Sequence, residues 1–132
     1  MAKILVIDDE KATLSMFRLF LDAYGYSVYT AENATEGLAI FQKEKPEIVL
    51  TDIKMPGTDG LAVLQRIKEV APQTAVIVIT GHGDTALAEQ AVALDAVDFI
   101  HKPIKKEALD AALEKAREKL DSAGRNGGSE PS

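Results

Sequence analysis

Cysteine is absent from this chain of 132 residues. Its absence excludes disulfide bonds, thiolate metal sites and thiol catalysis. Long apolar runs are also lacking, because none approaches the length of about 18 residues that a membrane-spanning helix needs. The apolar stretch at residues 4–7 is too short for the core of a signal peptide. These absences predict a chain that neither spans a membrane nor depends on disulfides.

Positive charge is in deficit. Lys and Arg number 15 against 21 Asp and Glu, which leaves a net charge of −6, and the isoelectric point is about 4.9. This balance argues against direct binding to nucleic acid or to an anionic membrane surface. The length fits one domain, since domains average about 150 residues. We therefore expect a small, soluble, cytoplasmic domain.

Apolar patterning alternates between the period of a buried strand and that of an amphipathic helix. Residues 4–7 form a continuous β-rich run, whereas residues 14–24 carry apolar side chains at helical spacing. Asn33 and Glu36 resemble a capping box at the start of a second helix. The predicted strands are 4–7, 26–31, 48–50 (running into Thr51 and Asp52), 75–80 and 97–100, and a helix follows each, the last at 105–120.

Five strand–helix units predict a doubly wound α/β fold, because parallel neighbouring strands need a helical crossover. The helices should cover both faces of the sheet, but the alternation does not give the strand order. Residues 1–120 form the predicted domain. Residues 121–132 are rich in Gly and Ser without apolar periodicity, and are predicted to be a flexible tail or linker.

Polar side chains follow the predicted strands at the edge where open α/β sheets bind ligands. Crowded carboxylates repel one another unless a cation lies between them. Oxygen ligands without His or Cys favour Mg²⁺, which uses one or two protein carboxylates and leaves another free as a nucleophile toward phosphorus. These residue types predict a magnesium-assisted phosphoryl acceptor. The residues are Asp8, Asp9 and Glu10 after the first strand, Asp52 ending the third, Thr80 ending the fourth, and Lys102 after the fifth.

Four segments carry a resemblance to a known family. They are ILVIDDE (4–10), IVLTDIKMPGTDG (48–60), VIVITGHGD (76–84) and DFIHKP (98–103). With these four segments in this order, the chain resembles the receiver domain of two-component response regulators over residues 3–120. The resemblance implies a flavodoxin-like, five-stranded parallel sheet of order 2-1-3-4-5 with five helices.

The resemblance also implies roles for single residues. Asp52 would be the phosphoacceptor, and Lys102 would pair first with Asp52 and then with the phosphoryl group. Thr80 and Phe99 would form a switch pair, in which the hydroxyl turns toward the phosphoryl group and the aromatic ring moves inward. The implied Mg²⁺ ligands are Asp9 directly, Asp8 mainly through water, Asp52, and the backbone carbonyl of Lys54, and the Lys102–Pro103 bond is expected to be cis.

The family's partners follow from the resemblance. A sensor histidine kinase or a phosphotransfer protein would donate the phosphoryl group. The face around the fourth helix, fifth strand and fifth helix would control an effector domain or output protein, with a phosphorylation-dependent homodimer as one form of output. The chain would be a phosphoacceptor regulator and not an enzyme, with the magnesium-dependent self-phosphorylation and self-dephosphorylation that the family shows.

The sequence departs from the commonest family pattern at a few positions. Asp95 stands in a turn where Gly is usual, so that turn is expected to be strained or reshaped. Phe99 lacks the hydroxyl of the frequent Tyr. Lys54 and His82 lie two residues after Asp52 and Thr80, where side chains influence the dephosphorylation rate in the family. His82 is expected to be a loop residue and His101 to be exposed.

Three other functions fit the sequence less well. A haloacid-dehalogenase-type phosphohydrolase needs its nucleophile in a D-x-D arrangement after the first strand, and Asp8-Asp9-Glu10 lacks it. A flavodoxin-like binding module needs a Gly-, Ser- or Thr-rich phosphate loop there, where this chain is acidic. A pseudo-receiver would lack one of the key residues, and all are present. Whether the chain is a complete regulator or part of a longer one stays open.

Overall fold

The computed structural model describes residues 2–55, 58–81 and 85–128. Strands and helices alternate along these residues, as the sequence predicts. The strands are β1 Lys3–Ile7, β2 Ser27–Ala31, β3 Ile48–Asp52, β4 Lys54–Met55, β5 Thr58–Asp59, β6 Ala75–Thr80 and β7 Asp98–His101. The helices are α1 Lys11–Ala23, α2 Ala34–Glu44, α3 Gly60–Val70, α4 Thr85–Ala93 and α5 Lys106–Gly128.

The larger sheet has five parallel strands in the order β2-β1-β3-β6-β7. Counting only its own strands, this is the order 2-1-3-4-5, so the predicted fold class is confirmed. The chain reverses its winding direction between β1 and β3, where Ile7 lies opposite Thr51. The residues that follow these two, Asp8 and Asp52, therefore emerge side by side at the carboxyl edge of the sheet.

Helices cover both faces because alternate side chains of each strand point in opposite directions. Ile4 and Val6 of β1 pack into a core with α1 and α5, whereas Leu5 and Ile7 pack into a second core with α2, α3 and α4. These four side chains are fully buried. A strand buried on both faces reads as a continuous apolar run, and residues 4–7 show that run.

Two local features fix the starts of α2 and α3. The Asn33 side chain accepts a hydrogen bond of 2.8 Å from the Glu36 backbone N–H, which caps α2 as predicted. Gly60 begins α3 directly against the end of β3, and a Cβ at this position would lie 2.7 Å from the Ile53 Cα and closer still to the Asp52 carbonyl oxygen. Only glycine allows this approach, which anchors the backbone of Asp52.

The structure differs from the prediction in two places. The segment between β3 and α3 contains the antiparallel pair β4–β5, which was not predicted because two-residue strands carry no detectable periodicity. The last helix was predicted to end at Leu120 but continues to Gly128. Apolar periodicity shows how far a helix packs on the core, and its backbone hydrogen bonding can extend further. The predicted tail role of 121–132 stays a prediction, and residues 129–132 lie outside the described part.

The turn before β7 has the backbone strain that the sequence predicts. Asp95 adopts a φ of +82°, in the left-handed region that usually favours glycine. None of the helices in the described ranges is long and apolar enough to cross a membrane.

Candidate functional site

The acidic side chains that follow β1 and end β3 converge at one point. Asp8, Asp9 and Asp52 each offer a carboxylate oxygen, and these oxygens lie within 4.8 Å of one another. The neighbouring registers of β1 and β3 produce this convergence, and the Asp8 N–H fixes the loop by donating to the Ala31 carbonyl of β2 at 3.1 Å. The structure therefore brings together three of the four acids that the sequence places at this edge, the three that the resemblance implies as Mg²⁺ ligands.

The three acids differ in burial. The Asp8 side chain is fully buried and Asp52 is 5% exposed, whereas Asp9 faces solvent. Asp8 Oδ1 accepts a hydrogen bond of 2.8 Å from the Glu10 backbone N–H. No residue in the described part of the chain donates a hydrogen bond to Asp8 Oδ2. A buried carboxylate oxygen without a donor is costly unless a cation occupies its open side.

This arrangement fits a hard divalent cation. The oxygen-only ligand set is the kind that Mg²⁺ prefers, and Asp8, whose buried Oδ2 accepts no hydrogen bond from the described residues, contributes an oxygen to the same cluster. The exposed position of Asp9 leaves one side of the cluster open to water, which Mg²⁺ largely retains in proteins. The structure shows an acidic cluster that could bind a metal.

Lys102 is the cation that the structure places among these acids. Its Nζ lies 3.3 Å from Asp8 Oδ2, 3.3 Å from Asp52 Oδ2 and 2.5 Å from Glu10 Oε1. The Lys102 backbone N–H donates to the Thr80 carbonyl at 2.8 Å, which ties the residue to the end of β6. The following Lys102–Pro103 peptide bond is cis, the isomer that the resemblance implies. Lys102 thus bridges the two buried acids and an exposed one.

Burial and charge shift the pKa values of these groups. Burial raises the pKa of Asp8 to about 6, an effect to which the Asp52 charge adds and which the Glu10 N–H and Lys102 oppose. Burial alone would lower the pKa of Lys102, but the hydrogen bond to Glu10 and the charges of Asp52 and Asp8 outweigh it and raise that pKa. The hydrogen bond from Lys102 lowers the pKa of Glu10.

Thr80 and Phe99 lie on the neighbouring strands β6 and β7. Thr80 is fully buried, and Phe99 is partly buried against the core that faces α4. The Thr80 hydroxyl is 2.6 Å from Nδ1 of His101, an exposed residue. The His101 ring meets the Phe99 ring edge-on, with centroids 5.2 Å apart. The predicted switch pair is therefore connected through a third side chain.

Other predicted positions are placed less directly. Lys54 is the first residue of β4, two residues after Asp52, and its backbone carbonyl as a metal ligand stays a prediction. His82 lies outside the described residues. Sequence reasoning assigned no role to Glu10 as a partner of Lys102 or to His101 as a partner of Thr80. Thr80 and His101 are brought together by the register between β6 and β7, and the pattern of a single sequence does not contain that register.

Comparison with known proteins agrees with this geometry. The sequence model of the response regulator receiver domain matches residues 4–114. The chain is 37% identical over 117 residues to the transcriptional regulatory protein GlrR of Escherichia coli, covering 89% of this chain and 26% of that protein. It is 31% identical over 113 residues to sporulation initiation phosphotransferase F of Bacillus subtilis, covering 86% of this chain and 91% of that one.

Solved structures show the same relationship. A response regulator receiver domain protein of Clostridium thermocellum superposes with a TM-score of 0.83 at 38% identity, over 93% of this chain and 97% of that one. The chain spans only about a quarter of the length of GlrR and of similar transcriptional regulators such as DctD of Rhizobium meliloti. The family match nonetheless covers most of this chain, so the chain belongs to the response regulator receiver domains of two-component signalling.

Proposed function

We propose that this chain is a phosphoacceptor switch in which Asp52 receives a phosphoryl group from a sensor histidine kinase or a phosphotransfer protein. The observation that carries the proposal is the placement of the Asp52 carboxylate. It is almost buried at the end of β3, 3.3 Å from Lys102 Nζ and within the cluster formed with Asp8 and Asp9. A carboxylate beside a fixed cation can attack phosphorus once the surrounding negative charge is balanced.

The transfer exchanges one bond to phosphorus for another. A carboxylate oxygen of Asp52 bonds to phosphorus while the bond from phosphorus to the imidazole nitrogen of the donor breaks, and that nitrogen keeps the electron pair. Lys102 Nζ, already among the acids, pairs with an oxygen of the phosphoryl group. Attack of water on phosphorus later breaks the new bond, releases inorganic phosphate and returns the free carboxylate, which is the expected self-dephosphorylation.

Asp8, Asp9 and Asp52, with the backbone carbonyl of Lys54, would hold Mg²⁺ beside the acceptor. The ion would supply positive charge that offsets both the repulsion among the acids and the charge on the phosphoryl oxygens. The support for this assignment is the close set of carboxylate oxygens and the buried Asp8 Oδ2 that lacks a donor among the described residues. Small phosphodonors such as acetyl phosphate should serve in self-phosphorylation.

The phosphoryl group would act on Thr80 and Phe99 by population shift. It adds nearly two negative charges and three acceptor oxygens at Asp52, which favour a conformation in which the Thr80 hydroxyl turns toward it. Phe99 would follow, and the face formed by α4, β7 and α5 would control an effector domain or output protein. GlrR and DctD, named as transcriptional regulators, support an effector partner of this kind. A phosphorylation-dependent homodimer is a second form of output.

Intact mass after incubation with acetyl phosphate tests the acceptor chemistry. We expect one phosphoryl adduct on the parent with Mg²⁺, almost none with EDTA, and none on Asp52→Asn. Asp110→Asn is the matched control, because Asp110 is an exposed carboxylate of α5 that hydrogen-bonds to Lys106 and Tyr24, outside the acidic cluster. It should be modified like the parent.

Two outcomes would contradict the proposal. An adduct that persists on Asp52→Asn would place the acceptor elsewhere. A parent that neither forms an adduct nor binds Mg²⁺ would instead support a pseudo-receiver that acts as a constitutive interaction module. Mg²⁺ binding is followed independently by amide chemical shifts of the residues after β1 and β3.

A further inference from the structure

Thr80 and His101 end two adjacent strands and face each other. They are register partners in the parallel pair β6–β7, and the Thr80 hydroxyl is 2.6 Å from His101 Nδ1. Thr80 is fully buried, whereas His101 lies at the exposed rim. The imidazole therefore reaches inward from the surface to bind a buried hydroxyl that has little other access to water.

The same imidazole contacts Phe99. The two rings meet edge-on at an interplanar angle of 69°, with their centroids 5.2 Å apart. Phe99 and His101 are two positions apart on β7 and so share one face of the sheet. A displacement of the His101 ring is thus transmitted to Phe99 by direct contact, as well as to the Thr80 hydroxyl by the hydrogen bond.

We propose that His101 is a positioning residue that holds the Thr80 hydroxyl on the β7 side and sets the threshold of the switch. The inference rests on the proposed function, because it concerns how Thr80 responds to a phosphoryl group on Asp52. With the imidazole proton on Nε2, Nδ1 accepts the hydroxyl proton of Thr80. The hydroxyl has one proton to donate, so His101 and a phosphoryl oxygen compete for it.

The competition follows from burial. A buried hydroxyl without a partner is costly, so Thr80 keeps one of the two acceptors in every state. The imidazole stabilises the unphosphorylated orientation, and phosphorylation must break that hydrogen bond before Thr80 can turn. The phosphoryl group gains the Thr80 contact only in molecules in which Thr80 has left His101. The apparent affinity of the acceptor site is therefore reduced in proportion to that fraction.

Beryllofluoride mimics a phosphoryl group on a carboxylate. Its titration in the presence of Mg²⁺ measures the apparent affinity of the acceptor site, which depends on this fraction. His101→Phe keeps a ring against Phe99 but removes Nδ1, and we expect it to tighten the apparent affinity about fivefold, the effect of one net hydrogen bond. His101→Asn places a polar side-chain atom near the Nδ1 position and should return the affinity close to that of the parent. Because His101 is exposed, both variants should fold.

A second measurement reports the hydrogen bond itself. The ¹⁵N chemical shifts of His101 should show an unprotonated Nδ1 in the free parent, and should change when beryllofluoride binds because Thr80 has left. A ring that only packs against Phe99 would show no hydrogen bond to Nδ1 in the free parent.

The outcomes separate the two proposals. If the parent binds beryllofluoride at Asp52 but His101→Phe binds it no more tightly, the positioning role is wrong and the phosphoacceptor function stands. If the parent binds no beryllofluoride and forms no adduct with acetyl phosphate, the proposed function fails, and the role of His101 fails with it.

Discussion

The two ends of the sheet differ in how deeply their charged side chains are buried and in how those side chains are paired. At the amino end, Lys3 Nζ lies 3.4 Å from Glu44 Oε1, and the Lys3 backbone N–H donates to Glu47 at 2.8 Å. These groups are partly open to water, as the 40% exposure of the Lys3 side chain shows. At the carboxyl end, Lys102 faces several acids at once, and Asp8 is fully buried.

The difference separates a structural ion pair from a site arranged for a ligand. Charges at the amino end remain partly hydrated, so pairing them changes stability little. Charges at the carboxyl end have lost much of their hydration, and one lysine does not satisfy every carboxylate oxygen. Such an excess of buried acid lowers the stability of the free domain and creates affinity for a cation and a phosphoryl group.

Removing the lysine from each end should give the largest contrast. Lys102→Met leaves Asp8 and Asp52 without their ammonium, and we expect the free energy of unfolding to fall by about 3 kcal/mol. Lys3→Met, the matched change at the amino end, should cost less than about 1 kcal/mol. Urea unfolding with EDTA near neutral pH measures both.

Repeating the titrations with Mg²⁺ sharpens this comparison. The ion should recover part of the loss in Lys102→Met, because it takes over the charge compensation, and should leave the cost of Lys3→Met unchanged. Equal losses for the two variants with EDTA would mean that the ends do not differ in the way proposed.

Neutralising an acid should have a smaller effect of opposite sign. Asp8→Asn removes a buried charge whose pKa is raised to about 6, so without Mg²⁺ we expect the domain to become more stable by about 2 kcal/mol. Glu44→Gln at the amino end should be neutral or slightly destabilising. Thermal unfolding with and without Mg²⁺ checks both, and the Asn variant should lose the stabilisation by Mg²⁺. A destabilised Asp8→Asn would show that Asp8 is compensated in the free domain.

The sequence predicted most of the fold because strand and helix periods report contact with the core. The strand 75–80 matches β6, and the run into Asp52 matches β3. The acidic cluster was predictable as well, since parallel strands bring their carboxyl ends to one edge. Features that depend on register between distant strands were not predictable, such as the contact of Thr80 with His101.

The length of α5 and the role of Glu10 escaped prediction for different reasons. Residues beyond Leu120 lack the apolar periodicity on which the boundary was based, and the helix nevertheless continues to Gly128. Glu10 reaches Lys102 only because its side chain turns back toward the site from the start of α1. Side-chain direction at a helix start depends on tertiary contacts, so composition alone could not indicate it.

The smallest expected effect is on the pH dependence of stability at the carboxyl end of the sheet. The pKa of Asp8 is raised from 3.8 to about 6 in the folded state, so between these values the folded domain binds a proton that the unfolded chain has released. The stabilisation from this proton is complete below the lower value and is lost as pH rises through the upper one. Without Mg²⁺, the advantage of Asp8→Asn over the parent should therefore shrink by about 1 kcal/mol between about pH 7 and about pH 5.

Saturating Mg²⁺ should reverse this dependence, because a proton on Asp8 must then displace the ion. The parent should lose its stabilisation by Mg²⁺ only at a pH below the metal-free pKa of about 6, because the bound ion opposes protonation of Asp8, whereas Asp8→Asn should show no such loss. Denaturant titrations at several pH values, with EDTA and with Mg²⁺, give the four curves required. A parent and variant that respond identically to pH with EDTA would show that Asp8 ionises in the folded domain as it does in the unfolded chain. The two ends of the sheet would then differ in geometry but not in energetic cost.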